Sequence, residues 1–180
     1  MANATVICGS GDYKGHTANV CRAVTGTLTA KGYAVRTFFP SDMAIIDCDG
    51  CDKCAGLGYC RMKDDMRFIY DSFADSDLLI IASPIFFDGL SSSTVRCIGR
   101  FQLHWNRKDL HRPSKCIAMY CAGRKDPDIS AAEQVMNRFC KSMGIELIDT
   151  ITVAGTDESP TEETYEKANA AFEKAIAKLA

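Results

Sequence analysis

Short apolar runs alternating with amphipathic helical stretches predict an α/β fold, a parallel sheet of five strands sandwiched between two layers of helices. Three observations carry this expectation. Leu78-Leu79-Ile80-Ile81-Ala82 is apolar without alternation, as suits a strand covered on both faces. The run from Cys116 to Cys121 repeats that character. Helical periodicity separates the strand signals, so successive strands join through right-handed crossovers.

Taken in order, Thr5 to Cys8 forms the first strand and ends at Gly9-Ser10-Gly11. From Thr17 a helix places Val20, Val24 and Leu28 on one face, and Gly32 stops it. Tyr33 to Phe39 is the second strand, ended by Pro40. After a cysteine-rich stretch at about 47–62, Asp64 is placed to cap a helix carrying Met66, Ile69, Tyr70 and Phe73. Ser83-Pro84 breaks the third strand, and a helix covers roughly Ser91 to His104. The fourth strand precedes a helix from about Ser130 to Met143, closed by Gly144. Ile145 to Val153 is the fifth strand. The last helix shows Tyr165, Ala168, Phe172, Ile176 and Leu179 on one face. No repeat or linker interrupts the pattern, so residues 1–180 read as one domain.

Composition narrows the function classes. Of 180 residues, 47% are hydrophobic and 24% charged, ordinary values for a globular domain with its own core. A net charge of −2 gives no reason to expect nucleic acid or a membrane surface as a partner. The start MANATVICGSG lacks a signal-peptide pattern, and no apolar stretch is long enough to span a bilayer, so a cytoplasmic location is expected. The ten cysteines are the anomaly. A disulfide framework does not suit a reducing compartment, where clustered cysteines more often mean metal or redox chemistry. Cys8, Cys21, Cys97, Cys116, Cys121 and Cys140 are scattered, mostly in apolar segments, and read as small core residues.

In an open parallel sheet, ligands bind beyond the carboxyl ends of the strands. The segment Cys8 to Thr17 runs from a strand into a helix, whose free N–H groups and partial positive charge suit a phosphate. Ser10 and Thr17 add hydroxyls and Lys14 a charge. A tight βα turn without ligand, capped by Thr17, is the other reading of this loop. It is neither a Walker loop nor a dinucleotide fingerprint. Cys48-x₂-Cys51-x₂-Cys54-x₅-Cys60 puts thiols at every third residue and a fourth after a glycine-containing turn, which suits a cubane iron–sulfur cluster. Zinc or uncoordinated redox-sensitive thiols are the alternatives.

The loop, Asp64-Asp65-Met66, and Ser83-Pro84-Ile85-Phe86-Phe87 before a Ser-rich helix together resemble the flavodoxin-like NAD(P)H-dependent FMN reductases. The cysteine pattern resembles that family's iron–sulfur flavoprotein branch. The resemblance covers most of the chain and is strongest from Cys48 to Arg100. It implies a flavodoxin-like sandwich with strand order 2-1-3-4-5. It implies FMN phosphate at Ser10, Gly15, His16 and Thr17, with Lys14 and Ala18 beside them. Ring contacts are implied from Ser83, Pro84, Ile85, Phe86 and Phe87, and further contacts from Cys121, Ala122 and Gly123. Cys48, Cys51, Cys54 and Cys60 would hold a [4Fe–4S] cluster. Phe86 and Phe87 fit a flavin's need for a flat apolar slot, although core packing is the plainer reading of two aromatics at a strand exit. Asp88-Gly89 would then turn the chain sharply. Two departures stand out: Asp12 replaces an expected arginine, with Lys14 available to compensate, and Gly99 precedes Arg100 where Asp is usual.

The function implied is an FMN-dependent oxidoreductase passing electrons between the cluster and FMN. Its partners would be a ferredoxin-like donor or NAD(P)H and a small-molecule acceptor, in a homodimer or homotetramer. An FMN or quinone reductase without a cluster is the second hypothesis, and a non-enzymatic metal-binding or redox-sensing module the third. His16 is read as a backbone donor and Trp105 as packing or interface. Arg107, Lys108, His111 and Arg112 form a basic patch, either solvated or docking an acidic carrier or a nucleotide phosphate.

Overall fold

A computed structural model describes residues 2–179. Strands β1 (Asn3–Cys8), β2 (Ala34–Phe38), β3 (Leu78–Phe86), β5 (Lys115–Ala122) and β6 (Glu146–Ala154) form a parallel sheet in the order β2-β1-β3-β5-β6. The two-residue β4 (Gly89–Leu90) pairs antiparallel with the end of β3. Numbering that short strand is the one difference from the predicted path of five.

Successive residues of a strand point to opposite faces, and β3 shows both faces filled. Leu78, Ile80 and Ala82 pack with Val20, Val24 and Leu28 of α1 (His16–Ala30) and Ala168 and Phe172 of α7 (Thr161–Ile176). Leu79 and Ile81 face the other layer: α3 (Met66–Ala74), α4 (Ser92–Arg100), α5 (Gln102–Asn106) and α6 (Ser130–Met143). Each fully buried aliphatic side chain contributes about 1.5–3 kcal/mol, which explains why the unbroken apolar runs become the central strands. The six scattered cysteines are all buried.

Several local expectations are corrected. Ser83-Pro84 does not end the third strand, because both residues keep their register with β5, opposite Tyr120 and Cys121. Proline's extended backbone is compatible with a strand end, where it forfeits only one donor. The helix expected over Ser91 to His104 is two helices meeting at Phe101, whose fully buried ring anchors the joint. Asp65 occupies the position before α3 but makes no side-chain capping bond; the Asp64 carboxylate accepts the Met66 N–H at 3.2 Å and also makes a buried ion pair with Arg100. Gly15, not Thr17, precedes α1. Tyr165 is 40% exposed, and the buried Thr164 takes its place on the inward face of α7. A five-residue helix, α2 (Lys53–Leu57), forms inside the cysteine-rich segment, where none was foreseen.

Candidate functional site

The carboxyl ends of β1, β3 and β5 lead into three loops that enclose a cavity of about 870 Å³. Gly9 explains how closely the first two segments approach. A Cβ there would lie 1.8 Å from Thr94 Oγ1, so only glycine lets β1 run against the start of α4. The Ser91 and Ser93 hydroxyls donate to the Gly9 carbonyl at 2.8 and 2.9 Å, and the Ser91 N–H donates to Ser83 Oγ at 3.0 Å. These bonds tie the first loop to the exit of β3.

Helix α1 starts at this cavity. Its opening N–H groups, from His16, Thr17 and Ala18, have no carbonyl one turn earlier inside the helix. No acidic residue occupies its first turn, which leaves about half a positive charge uncompensated there. The His16 ring turns away to Thr164, with Nδ1 2.9 Å from Oγ1, so its backbone is what it offers. Asp12 Oδ1 accepts the Lys14 N–H at 2.8 Å, which places a carboxylate within the loop itself.

The exit of β3 is a two-residue hairpin. Phe86 pairs with Gly89, and the turn residues Phe87 and Asp88 both have left-handed backbones, φ 51° and 63°. Such a turn follows the twist of the strands, but a bulky residue rarely adopts this conformation. The sharp turn expected at Asp88-Gly89 falls on Phe87-Asp88, with Gly89 already in the short return strand. Phe87 is fully exposed at the cavity rim. Arg124, from the loop after β5, forms an ion pair with Asp88 and ties the hairpin to the facing wall.

Of the residues expected to hold FMN, Ser10, His16, Thr17, Pro84, Ile85, Phe86, Phe87, Cys121, Ala122 and Gly123 line this one cavity. Lys14, Gly15, Ala18 and Ser83 do not. Lys14 is exposed, Gly15 is the cap of α1, and Ala18 is buried in the core. Ser83 is fully buried among the hydroxyls described above. Burial pushes the Cys121 thiol up to about 12, so it is a neutral wall. Sequence reading missed Arg124, Pro127, Thr156 and Asp157, which complete the lining. Their signal was available: Arg124 and Pro127 continue the loop after β5, and the loop after the last strand, with Thr156 and Asp157, opens at the same sheet edge. Thr156 N–H donates to Ala122 O at 3.1 Å.

The four clustered cysteines line a second, small cavity that shares no lining residue with the first. Cys48 and Cys51 are exposed, Cys54 and Cys60 half-buried, and all are free thiols. Among the described residues, no three His, Cys, Asp or Glu side chains converge closely enough to hold a single metal ion. Below the loop, the Arg100 and Asp64 side chains are 1% and 3% exposed and ion-paired. Burial opposes the Asp64 charge, but the Arg100 guanidinium and the Ile46 and Met66 N–H groups outweigh it and hold the carboxyl below its usual value. Arg100 also reaches the Ile46 carbonyl, so the pair fastens the start of the cysteine segment to α4.

The basic patch is a partly solvated loop: Lys108 and His111 are exposed, Arg107 and Arg112 half-buried, and all four are engaged within the chain. Arg107 pairs with Asp109, and Arg112 donates to four backbone carbonyls, those of His104, Arg107, Leu110 and Met143. Lys108 Nζ lies 4.0 Å from the Trp105 ring centre, and His111 bonds the Ala74 carbonyl.

The profile of the NADPH-dependent FMN reductase family matches residues 2–159. An iron-sulfur flavoprotein of Archaeoglobus fulgidus is 27% identical over 143 residues, covering 79% of this chain and 64% of the relative. Another from Methanocaldococcus jannaschii is 28% identical over 94 residues, 52% of this chain and 49% of the relative. The chain thus spans less than two thirds of either curated relative's length. Among solved structures, an FMN-dependent NADH-azoreductase from Bacillus anthracis in complex with FMN superposes with a TM-score of 0.67. The match covers 100% of both chains at 14% identity, a likeness of fold.

Proposed function

Because the chain belongs to the NADPH-dependent FMN reductase family, we propose that it is an FMN-dependent oxidoreductase whose flavin occupies the large cavity. The observation that carries this reading is the convergence, on one space of about 870 Å³, of a helix N-terminus, an aromatic hairpin and a glycine loop. That volume lies within the roughly 300–1,000 Å³ of cofactor sites. The wall fits as well. A Cβ at Gly123 would sit 2.2 Å from Asp157 Oδ2, so any larger residue there would have to displace that exposed carboxylate from the cavity wall.

When bound, FMN supplies one- and two-electron transfer. The chain's part is to hold and orient it. The N–H groups at the start of α1, with Ser10 and Thr17 hydroxyls, would take the phosphate. Pro84, Ile85 and Phe86 would form the slot for the ring. Phe87, exposed beyond the ring position, would bound the place where a reductant or acceptor enters.

Cys48, Cys51, Cys54 and Cys60 would hold a [4Fe–4S] cluster, which supplies one-electron transfer. Four free thiols on one cavity are the right donor chemistry for it. Electrons from a ferredoxin-like donor or NAD(P)H would pass to a small acceptor. The two cavities share no wall in one chain, which favours a homodimer or homotetramer in which one chain's cysteines face its partner's flavin.

The test is the cofactor inventory of anaerobically purified protein. A flavin spectrum with about four irons per chain supports the full reading. Yellow protein without iron leaves a reductase lacking the cluster, and colourless protein holding zinc leaves a metal-binding module. Cys54→Ser should lose the iron and keep FMN; iron retained at the wild-type level would overturn the ligand assignment.

A further inference from the structure

Three of the four clustered sulfurs each receive a side-chain N–H. Arg61 Nε donates to Cys51 Sγ at 3.2 Å, Asn106 Nδ2 to Cys54 Sγ at 3.3 Å, and Arg100 Nη2 to Cys60 Sγ at 3.4 Å. Only Arg61 is close to the cysteines in sequence. Arg100 ends α4 and Asn106 ends α5, so two donors arrive through the packing of that helix pair under the loop.

Each donor is itself held. Arg61 is ion-paired with Asp49, whose Oδ1 also accepts the Cys51 N–H at 3.2 Å. Asn106 Nδ2 also reaches Asp52 Oδ1 at 3.4 Å. Arg100 is gripped by Asp64, whose Oδ2 accepts the Ile46 N–H at 2.9 Å and whose Oδ1 accepts the Met66 N–H at 3.2 Å. Donors fixed in this way need little reorganisation when charge on sulfur changes. Two of them are cations, and each cation carries its own carboxylate, so the shell adds directed N–H dipoles while adding almost no net charge. Nothing in a thiol that merely packs requires such a partner. A sulfur that must carry negative charge does.

We infer that Arg61, Asn106 and Arg100 are positioning residues that set the reduction potential of the cluster by hydrogen bonding to its thiolate ligands. This rests on the cluster reading above. An N–H aimed at a ligand sulfur withdraws charge from it and favours the more electron-rich, reduced state, so each bond raises the potential. The contributions are unequal. Arg100 is buried, where the field of its N–H is least screened; Arg61 is 43% exposed and its influence is weaker. Cys48 accepts no side-chain hydrogen bond among the described residues, and its sulfur stays the most electron-rich of the set.

The experiment is an anaerobic redox titration of the holoprotein followed by electron paramagnetic resonance, with iron content and the FMN potential measured alongside. Asn106→Leu and Arg61→Met remove a donor while leaving the buried Arg100–Asp64 pair intact. Both should keep full iron and an unmoved FMN potential while the cluster potential shifts to more negative values. The shift for Asn106→Asp should exceed that for Asn106→Leu, because a carboxylate oxygen then faces sulfur. Cluster potentials equal to wild type in both variants at full iron would overturn the inference. Loss of iron from both would also overturn it, by making the residues supports of ligation and not of potential. Wild-type protein without iron fells the cluster reading first and this inference with it.

Discussion

At the residue scale, Asp12 and Tyr120 show opposite kinds of mismatch. Asp12 puts a carboxylate in a loop whose helix favours anions, and Lys14, the cation expected to offset it, lies off the cavity wall with its N–H spent on that carboxylate. Asp12→Asn keeps an oxygen for the Lys14 N–H and removes the charge. FMN should then bind about fivefold more tightly, roughly 1 kcal/mol for an exposed charge, as read by flavin fluorescence titration. Tyr120 is fully buried and its hydroxyl has no partner among the described residues, and burial raises the phenol well above its ordinary value. Tyr120→Phe deletes an unsatisfied group and keeps the ring. It should stabilise the fold by about 1 kcal/mol and raise Tm by about 2–4 °C in a thermal melt. Single residues were unevenly legible. The scattered cysteines could be placed in the core because they sit in apolar segments, whereas an orphaned hydroxyl depends on what happens to pack above it.

Elements whose character is written in local periodicity were readable: β3, β5, α1 and α6 follow from runs and from spacing along one face. Their ends were not. The extension of β3 through Ser83-Pro84 comes from pairing with β5, and the break between α4 and α5 from the seat of Phe101. The β3–β4 hairpin belongs to this class, since the strain at Phe87 appears only once Phe86 pairs with Gly89. Asparagine tolerates the left-handed region better than phenylalanine. Phe87→Asn should therefore leave stability unchanged or raise it by up to about 1 kcal/mol in urea titrations. FMN affinity or the KM for the acceptor should suffer in the same variant, because the aromatic rim is gone. A drop in stability of similar size would show that the exposed ring packs against something essential.

Over the whole molecule, the two cores differ in their response to acid. The layer of α3 to α6 contains His104, 2% exposed among Tyr70, Phe73 and Phe101. Burial, helped by the nearby Arg112 charge, pushes its imidazole down to about 4. Above the ordinary value of 6.5 both folded and unfolded chains hold it neutral, and it has no effect on the balance. Between there and about 4 the unfolded chain binds a proton that the folded chain refuses, so stability falls with falling pH and the loss levels off below. Near pH 5 the cost is about 2 kcal/mol. Urea unfolding near pH 7 and pH 5 should show this difference in the wild type, and His104→Leu should lose about that much of it.

The sequence by itself determined the α/β class, the order of strands and helices, the parallel sheet and the family resemblance. All of these follow from which faces must be covered and from motifs read along one stretch of chain. Only the tertiary structure decided which loops share the large cavity, that the cysteine loop stands on a separate one, and that Arg100 and Asn106 reach its sulfurs. The reason is physical. Burial periodicity is a local property of the chain, while contacts between loop ends depend on sheet register and helix packing among residues far apart in sequence.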